Sequence, residues 1–517
     1  MSTNNQRCFV FAIGGTGSRV LRSLTHLLAA GVKPDNDFDI IPIIIDPHYG
    51  NEDLQRTARL LDYYKKVRKF SDPNGFFPTK IYTLEDMKAA EPDKFDEKTV
   101  FTFNLRGSGD KFRDYIGHST MRPENAALVE LLFSGRSKDK RGEDCQLLDI
   151  QMDIGFVGNP NVGSVVLNQI ADSDIFSSFT TGFNPNDRIF IISSIFGGTG
   201  AAGFPCLLKN IREGRGKGSD DLKKAKIGAV SILPYFKLEE KEGSAIDYSD
   251  FIAKTKSALY YYDKNVTGNN SVNVMYYIGD NPNKIYDNDP GYGGQKNKAH
   301  FVELAGALAI MNFLSIPNND SRLECEVTEP AKVGKATKPT CIEFSIRRDA
   351  STPDLYDFRT ETQGRVAMPL AQFALFRKYM DEEYKNKTNA WKKEPPKLDD
   401  GLLTDAFYRD NLKEFFKDFY EWLTELNENN RGFAPFNLTR GSELKSFING
   451  MEFEEKGVIF KKKIPTYADF EECLNAHSKN KSFETQEKKL MDVFYLATKK
   501  LLNDVYELNR KLEGVKK

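Results

Sequence analysis

The chain has 517 residues, 40% hydrophobic and 28% charged, the balance of a globular protein long enough for roughly two to four domains. Lysine plus arginine (73) nearly equals aspartate plus glutamate (74), and this net charge of -1 removes the electrostatic case for a general nucleic-acid or anionic-membrane binder. The six cysteines are scattered with no C-x-x-C pair, which excludes a zinc module or disulfide scaffold, and no stretch reaches the roughly 18 apolar residues of a bilayer span.

The apolar run before Gly14 is too short for a signal peptide, so a cytoplasmic location is expected. Short β-branched runs then recur at Cys8–Ile13, Asp39–Ile45, Ile150–Val157, Arg188–Ile195, Lys226–Leu233 and Val272–Ile278, each followed by a turn and a helical pattern. Near-continuous apolar runs suit strands covered on both faces, and helices between them complete right-handed βαβ units. The predicted fold is an open, mostly parallel, Rossmann-like α/β sheet. Residues 51–149 are long for one crossover and read as an insertion, helical at Asn51–Phe70 and near Pro123–Phe133. Ala299–Leu314 is apolar almost all the way round, which predicts a long central helix buried between two layers. A mixed stretch, Glu324–Arg365, holds one strand-like run at Cys341–Ile346. From Val366 the pattern is helical, with amphipathic segments at Thr404–Leu426 and Glu484–Leu512. The expected division is a first domain at 1–297, the central helix at 298–316, and a mixed, then mainly helical, second domain at 317–517.

Three segments place glycine where a strand hands over to a helix. Gly14, Gly15, Thr16, Gly17 and Ser18 follow the first run and open a helix at Arg19. Glycines let the backbone approach a phosphate, and a helix N-terminus supplies free N–H donors; the same residues also suit a plain tight turn. Asp46 ends the second strand, where side chains face the crevice beyond the sheet's carboxyl edge; a turn or cap aspartate is the alternative. Gly15-x-Gly17-x-x-Val20 with Asp46 approximates a dinucleotide fingerprint that lacks its third glycine. Gly158 and Asn159 begin a stretch with the spacing of a P-loop, but Ser164 stands where the phosphate-binding lysine belongs. Its amides remain able to cradle a phosphate by another geometry. Gly107-Ser108-Gly109 reads as a surface turn. The fullest signal is Arg188–Gly203, a buried strand running into Gly197, Gly198, Thr199, Gly200, Ala201, Ala202 and Gly203. That nest of donors with a hydroxyl beside it suits a di- or triphosphate, and two such loops point to one phosphate chain held between neighbouring strands.

In this order the motifs resemble the tubulin/FtsZ superfamily, and its bacterial tubulin-like branch in particular. GGTGAAG is similar to that family's signature loop, usually GGGTG[ST]G, with Phe196 in place of the first glycine. Gly14–Ser18 is similar to the first phosphate loop, Asp46 to the aspartate closing the second strand, and Asn159-Pro160-x-Val162-Gly163 to an N-P-x-[IV]-G loop. Leu233–Phe236 followed by Glu242-Gly243 is similar to a K-P-F…E-G turn, and Ala299–Leu314 resembles the central helix.

The resemblance implies a guanine nucleotide, GTP or GDP, with Mg²⁺ held mainly by phosphates and water. It implies guanine recognition by polar side chains after the sixth strand and at the start of the central helix, where Asn281 and Asn297 stand. Both also suit the turns of a Gly/Asn-rich loop. It further implies head-to-tail self-association, with hydrolysis completed by an acidic loop of the next subunit. Asp320 and Glu324 are the catalytic candidates, although the run departs by one position from N-x-D-x-x-[DE] and better suits solvated loop carboxylates. The family's second domain is a sheet packed with helices, so the helical 366–517 has no counterpart there, and a protein partner for that region is left open. Two other readings stand beside a GTPase: a non-hydrolysing structural or interaction protein of the same fold, and a dinucleotide-binding oxidoreductase resting on Gly15-x-Gly17 and Asp46.

Overall fold

Strand β1, Gln6–Ile13, lies at the middle of the sheet because every second residue packs into a different layer. In this computed structural model Cys8, Val10 and Ala12 join one hydrophobic cluster, while Phe9, Phe11 and Ile13 join the other. A strand buried on both faces has no polar side to present, which is why these runs read as continuous rather than alternating. The structure describes residues 6–48, 50–88, 101–103, 107, 109–138, 143–156, 158–215, 220–238, 248–280, 285–286, 296–323, 365–385, 389–429, 432–451, 453, 464–479 and 482–506.

Five further strands complete the sheet: β2 (Phe38–Ile45), β3 (Thr102–Phe103), β4 (Arg188–Ser194), β5 (Lys226–Ile232) and β6 (Val274–Ile278). The order is β3-β2-β1-β4-β5-β6, and every pairing is parallel. Helix α1 (Gly14–Ala30) leads from β1 towards β2 and packs in the first cluster. The helix that follows β4 packs in the second. The winding direction therefore reverses between β1 and β4, and a crevice opens beyond their carboxyl ends.

Among the described residues one expected strand is absent. Of Ile150–Val157, the described residues 150–156 form a single turn of 3₁₀ helix at Met152–Ile154, and Gly155 then takes a positive φ of 78°; Val157 lies outside them. Ile150, Met152 and Phe156 are buried there without pairing to the sheet, so the apolar run reported burial and not a ladder. The sheet's edge is instead β3, from within 51–149, joined to Ile44 and Ile45. Helix α2 (Glu52–Arg68) and the helix Pro123–Leu132 fall close to their expected bounds. The strand-like run Cys341–Ile346 lies outside the described residues.

The first cluster continues from the sheet through the central helix into the C-terminal helices, as one body of buried side chains. The central helix, Phe301–Ser315, has buried residues on all sides, among them Leu304, Leu308, Phe313 and Leu314. Each such side chain contributes about 1.5–3 kcal/mol through its removal from water. The amphipathic segment expected at Thr404–Leu426 begins with a π-helical turn, Phe407–Leu412, and continues as the α-helix Lys413–Glu428. Its rings meet those of helix Ala367–Glu382, with Phe373 within 5.0 Å of Phe419 and Phe376 within 5.1 Å of Phe416, centroid to centroid. Helix Gln486–Asp504 closes the layer, Phe494 stacking on Phe376 at 4.4 Å. Among the described residues no helix is long and apolar enough to cross a membrane.

Candidate functional site

Three helix N-termini converge at the crevice. Helix α1 begins at Gly14; α3 (Pro160–Leu167) follows Gly158 and Asn159; α4 (Gly198–Arg212) follows Gly197. The contacts between them are backbone-close. A Cβ placed on Gly14, whose φ is 74°, would lie 3.5 Å from Thr199 Cβ and 3.6 Å from the Gly200 amide nitrogen. A Cβ on Gly198 would lie 3.1 Å from the Gly158 amide and 3.2 Å from the Asn159 amide. The loops singled out in the sequence thus touch one another, with Gly198–Gly200 between the other two.

The electrostatics favour an anion. None of these three N-termini is capped by a side chain, and none has an acidic residue in its first turn. Helix α2 shows the opposite: the Asn51 side chain caps it, and Glu52 and Asp53 stand in its first turn. A terminus with no side-chain cap and no carboxylate in its first turn keeps its donors and its positive dipole end available to a bound anion. Ser18 donates its hydroxyl to the Gly14 carbonyl at 3.3 Å, which leaves Thr16 and Thr199 as the loop hydroxyls nearer the surface. Among the described residues no group of three or more His, Cys, Asp or Glu is placed to hold a metal ion.

Asp46 sits beside the first loop, buried at the end of β2. It accepts from the His48 amide at 3.0 Å and from Asn51 Nδ2 at 3.2 Å. That same Asn51 nitrogen would be 3.3 Å from a Cβ on Gly15. Burial pushes the Asp46 carboxyl up to about 7 from its ordinary 3.8, against the hydrogen bonds and with a small push from Asp53. A raised folded-state value means that the folded chain holds a proton that the unfolded chain has released. The resulting stabilisation is complete below pH 3.8 and is lost as pH rises towards 7. Asp46→Asn is therefore expected to remove a downward slope of at most about 1.4 kcal/mol per pH unit between these values. Urea midpoints of the two chains at several pH values check this; parallel profiles would refute it.

Sequence reasoning did not reach the buried charges beneath the first loop. Arg19 donates to Glu303 of the central helix, to Asp53 at 2.7 Å, to the Tyr235 hydroxyl at 3.1 Å and to Thr16 Oγ1 at 3.3 Å. Tyr235 donates in turn to Glu303 at 3.1 Å. Glu303 also accepts from the His300 amide at 3.0 Å, while His300 Nδ1 accepts from the Val302 amide at 3.1 Å, a capping box built on histidine. The only signal in the sequence was Glu303 three residues after a possible cap.

Asn297 lies inside this network. Its main-chain amide and its Nδ2 donate to Asp53 at 3.1 and 3.2 Å, and its carbonyl accepts from Arg56. Asn281 and Glu324 lie outside the described residues. Asp320 is elsewhere. Arg188, the first residue of β4, donates to the Phe313 and Ile316 carbonyls at 2.6 Å and to Asn318 Oδ1 at 2.9 Å, so the loop after the central helix lies at the sheet's amino edge. The glycine loops lie at the other end of β4, about 20 Å away over its seven residues. Asp320 is doubly bonded to Arg322 at 2.7 and 2.9 Å, and those bonds hold its carboxyl down to about 2.

No family model matches the chain, and no curated protein matches it. Among solved structures it is similar to CetZ2 from Haloferax volcanii in a GTPγS-bound protofilament, at TM-score 0.29 and 11% identity over 60% of this chain. The chain spans 58% of that CetZ2 chain. It is also similar to TubZ-Bt in a helical, two-stranded filament, at TM-score 0.24 and 11% identity over 82% of this chain and 81% of that one. Superpositions this loose leave the functional reading to the residues of the chain itself.

Proposed function

We propose that the protein binds a guanine nucleotide in the manner of the tubulin/FtsZ superfamily that its motifs resemble, and that it is a GTPase assembling head to tail. One observation carries the reading: Gly14 of the first loop lies against Thr199 and Gly200 of the second, at the point where the winding of the sheet reverses. Two donor nests in mutual contact fit one polyphosphate better than two separate ligands, which favours GTP over a dinucleotide. Amides of Gly15–Gly17 and Gly198–Gly200 would hold the phosphates, with Gly158 and Asn159 closing the third side. Mg²⁺ would be held mainly by phosphate oxygens and water, with the Thr199 hydroxyl available as a loop oxygen; bound, it would neutralise charge on the γ-phosphate.

Isothermal titration with GTP and ATP tests the reading: micromolar binding of GTP with ATP weaker is expected, and no binding of either overturns it. Gly198→Val, which pushes a branched side chain against the Gly158 and Asn159 amides, should weaken GTP about 100-fold while the chain stays folded. Unchanged affinity in a folded variant would remove the loop from the site.

Turnover is proposed to need a second copy, because Asp320 stands at the opposite edge of the sheet from the loops of its own chain. Alanine at Asp320 and Glu324 together should leave GTP binding intact while phosphate release falls to background. Unchanged turnover that still rises with protein concentration would make both ordinary surface carboxylates. A non-hydrolysing structural role is the second reading, favoured by the engagement of both Asp320 oxygens with Arg322. Tight GTP binding with no phosphate release at any protein concentration would establish it.

A further inference from the structure

The helix Lys413–Glu428 belongs to the part of the chain with no counterpart in the family's pattern, yet it reaches the surroundings of the phosphate loops. Its Glu425 is buried and accepts three bonds from three different segments. Arg22 of α1 donates at 2.6 Å, Arg56 of α2 at 2.8 Å, and the main-chain amide of Ala299 at 2.9 Å. Arg56 continues to Asp53 at 3.0 Å and to the Asn297 carbonyl. Asp53 holds Asn297 from the other side and bonds Arg19, which ends on Thr16 in the first glycine loop. One unbroken line of buried bonds therefore runs from the C-terminal helix through the start of the central helix to the loop. Burial alone would raise the Glu425 carboxyl; Arg22 and Arg56 hold it below the usual carboxylate range, so it sits there as an anion.

We propose that Glu425 is a positioning residue for the nucleotide site, fixing the Asn297–Ala299 segment and, through Arg56 and Asp53, the first phosphate loop, so that the C-terminal helical layer sets nucleotide affinity. This rests on the guanine-nucleotide reading above. A buried charged network has few alternative arrangements that satisfy all its members, so displacing one member moves the others. Asp418 provides the control. It lies on the same helix and accepts from Arg22 at 2.8 Å and His26 at 3.0 Å, so it docks the helix on α1 and reaches Glu425 only through their shared Arg22, with no bond to Arg56 or to residues 297–299.

Glu425→Gln offers one acceptor oxygen to three donors and turns an NH₂ towards a guanidinium. Its dissociation constant for GTPγS is expected to rise about tenfold, with Asp418→Asn, which loosens only Arg22, rising by less than about twofold and Glu425→Asp between the two. By reciprocity, GTPγS should slow amide exchange over 413–428 in the parent chain and not in Glu425→Gln. A merely structural role would weaken both variants alike, and equal affinities in Glu425→Gln and Asp418→Asn overturn the proposal. Should Glu425→Gln fail to fold, exchange in the parent decides: absence of nucleotide-dependent protection over 413–428 overturns it. A parent chain that binds no GTPγS overturns the nucleotide reading and this inference with it, whereas a binding parent with an unaffected Glu425→Gln sinks the inference alone.

Discussion

Gly200→Ala is expected to destabilise the fold by about 3 kcal/mol, far more than a glycine-to-alanine change in a helix normally would. Alanine is ordinarily the better helix former, by roughly 1 kcal/mol. Here the added Cβ would come within 2.8 Å of both the amide nitrogen and the carbonyl oxygen of Ser194. The obstacle is the main chain at the end of β4, held in register with β5 up to Ser194 and Ile232, so it cannot swing aside as a side chain would. Either α4 lifts from the sheet or the carboxyl end of β4 shifts, and both move the second glycine loop. Gly109, with nothing within 4 Å of its Cβ position, serves as control and should change by less than about 0.5 kcal/mol when mutated to alanine. Urea unfolding of both variants measures the difference; a Gly200→Ala chain as stable as the parent would mean that α4 does not press on β4 this closely.

The second large effect concerns Arg19. Arg19→Met keeps most of the packing volume but strips two buried carboxylates, Asp53 and Glu303, of the guanidinium between them. A cost of about 3–5 kcal/mol is expected, since removing one partner leaves uncompensated charge where water cannot reach. The pH dependence has a definite sign. Burial already raises the Glu303 carboxyl, and Arg19 is the main influence pulling it down. Without Arg19 the folded-state value climbs further above the unfolded one. Stability from that group is then present at low pH and lost as pH rises through the higher value. The variant should lie closer to the parent at pH 5 than at pH 8. Adding Glu303→Gln, which supplies a neutral partner for the Tyr235 hydroxyl, should recover part of the loss at pH 8. A cost that is equal at both pH values, with no recovery in the double variant, would show that the carboxylate charge is not what Arg19 answers.

These expectations separate what local sequence carries from what it does not. Five of the six expected strands and both ends of the central helix were legible within two residues, because burial on two faces writes itself as a continuous apolar run. Ile150–Val157 shows the limit of that signal. Ile150, Met152 and Phe156 are as buried as any strand residue, yet hydropathy carries no record of whether a buried backbone finds a neighbour to pair with. The edge place went to Thr102 and Phe103, two residues too few to leave a periodicity.

The loops at Gly14 and Gly197 were legible for the same local reason, since a strand-to-helix turn bare of side chains is a property of five to seven consecutive residues; the Gly158 loop opens its helix as expected but follows a 3₁₀ turn and no strand. The sequence by itself thus determined the α/β order, the buried helix and which turns put bare glycine backbone at a helix N-terminus. Only the tertiary structure decided that the three turns touch, because that follows from β1 and β4 being neighbours although 188 opens far from 13 in the chain. Only it decided the partners of the charges as well. Arg19 meets Glu303 across 284 positions, and Arg22 meets Glu425 across 403. A charged residue in a sequence looks the same whether water or another charge will face it. Desolvation makes that choice, and it operates only once distant segments have closed around the group.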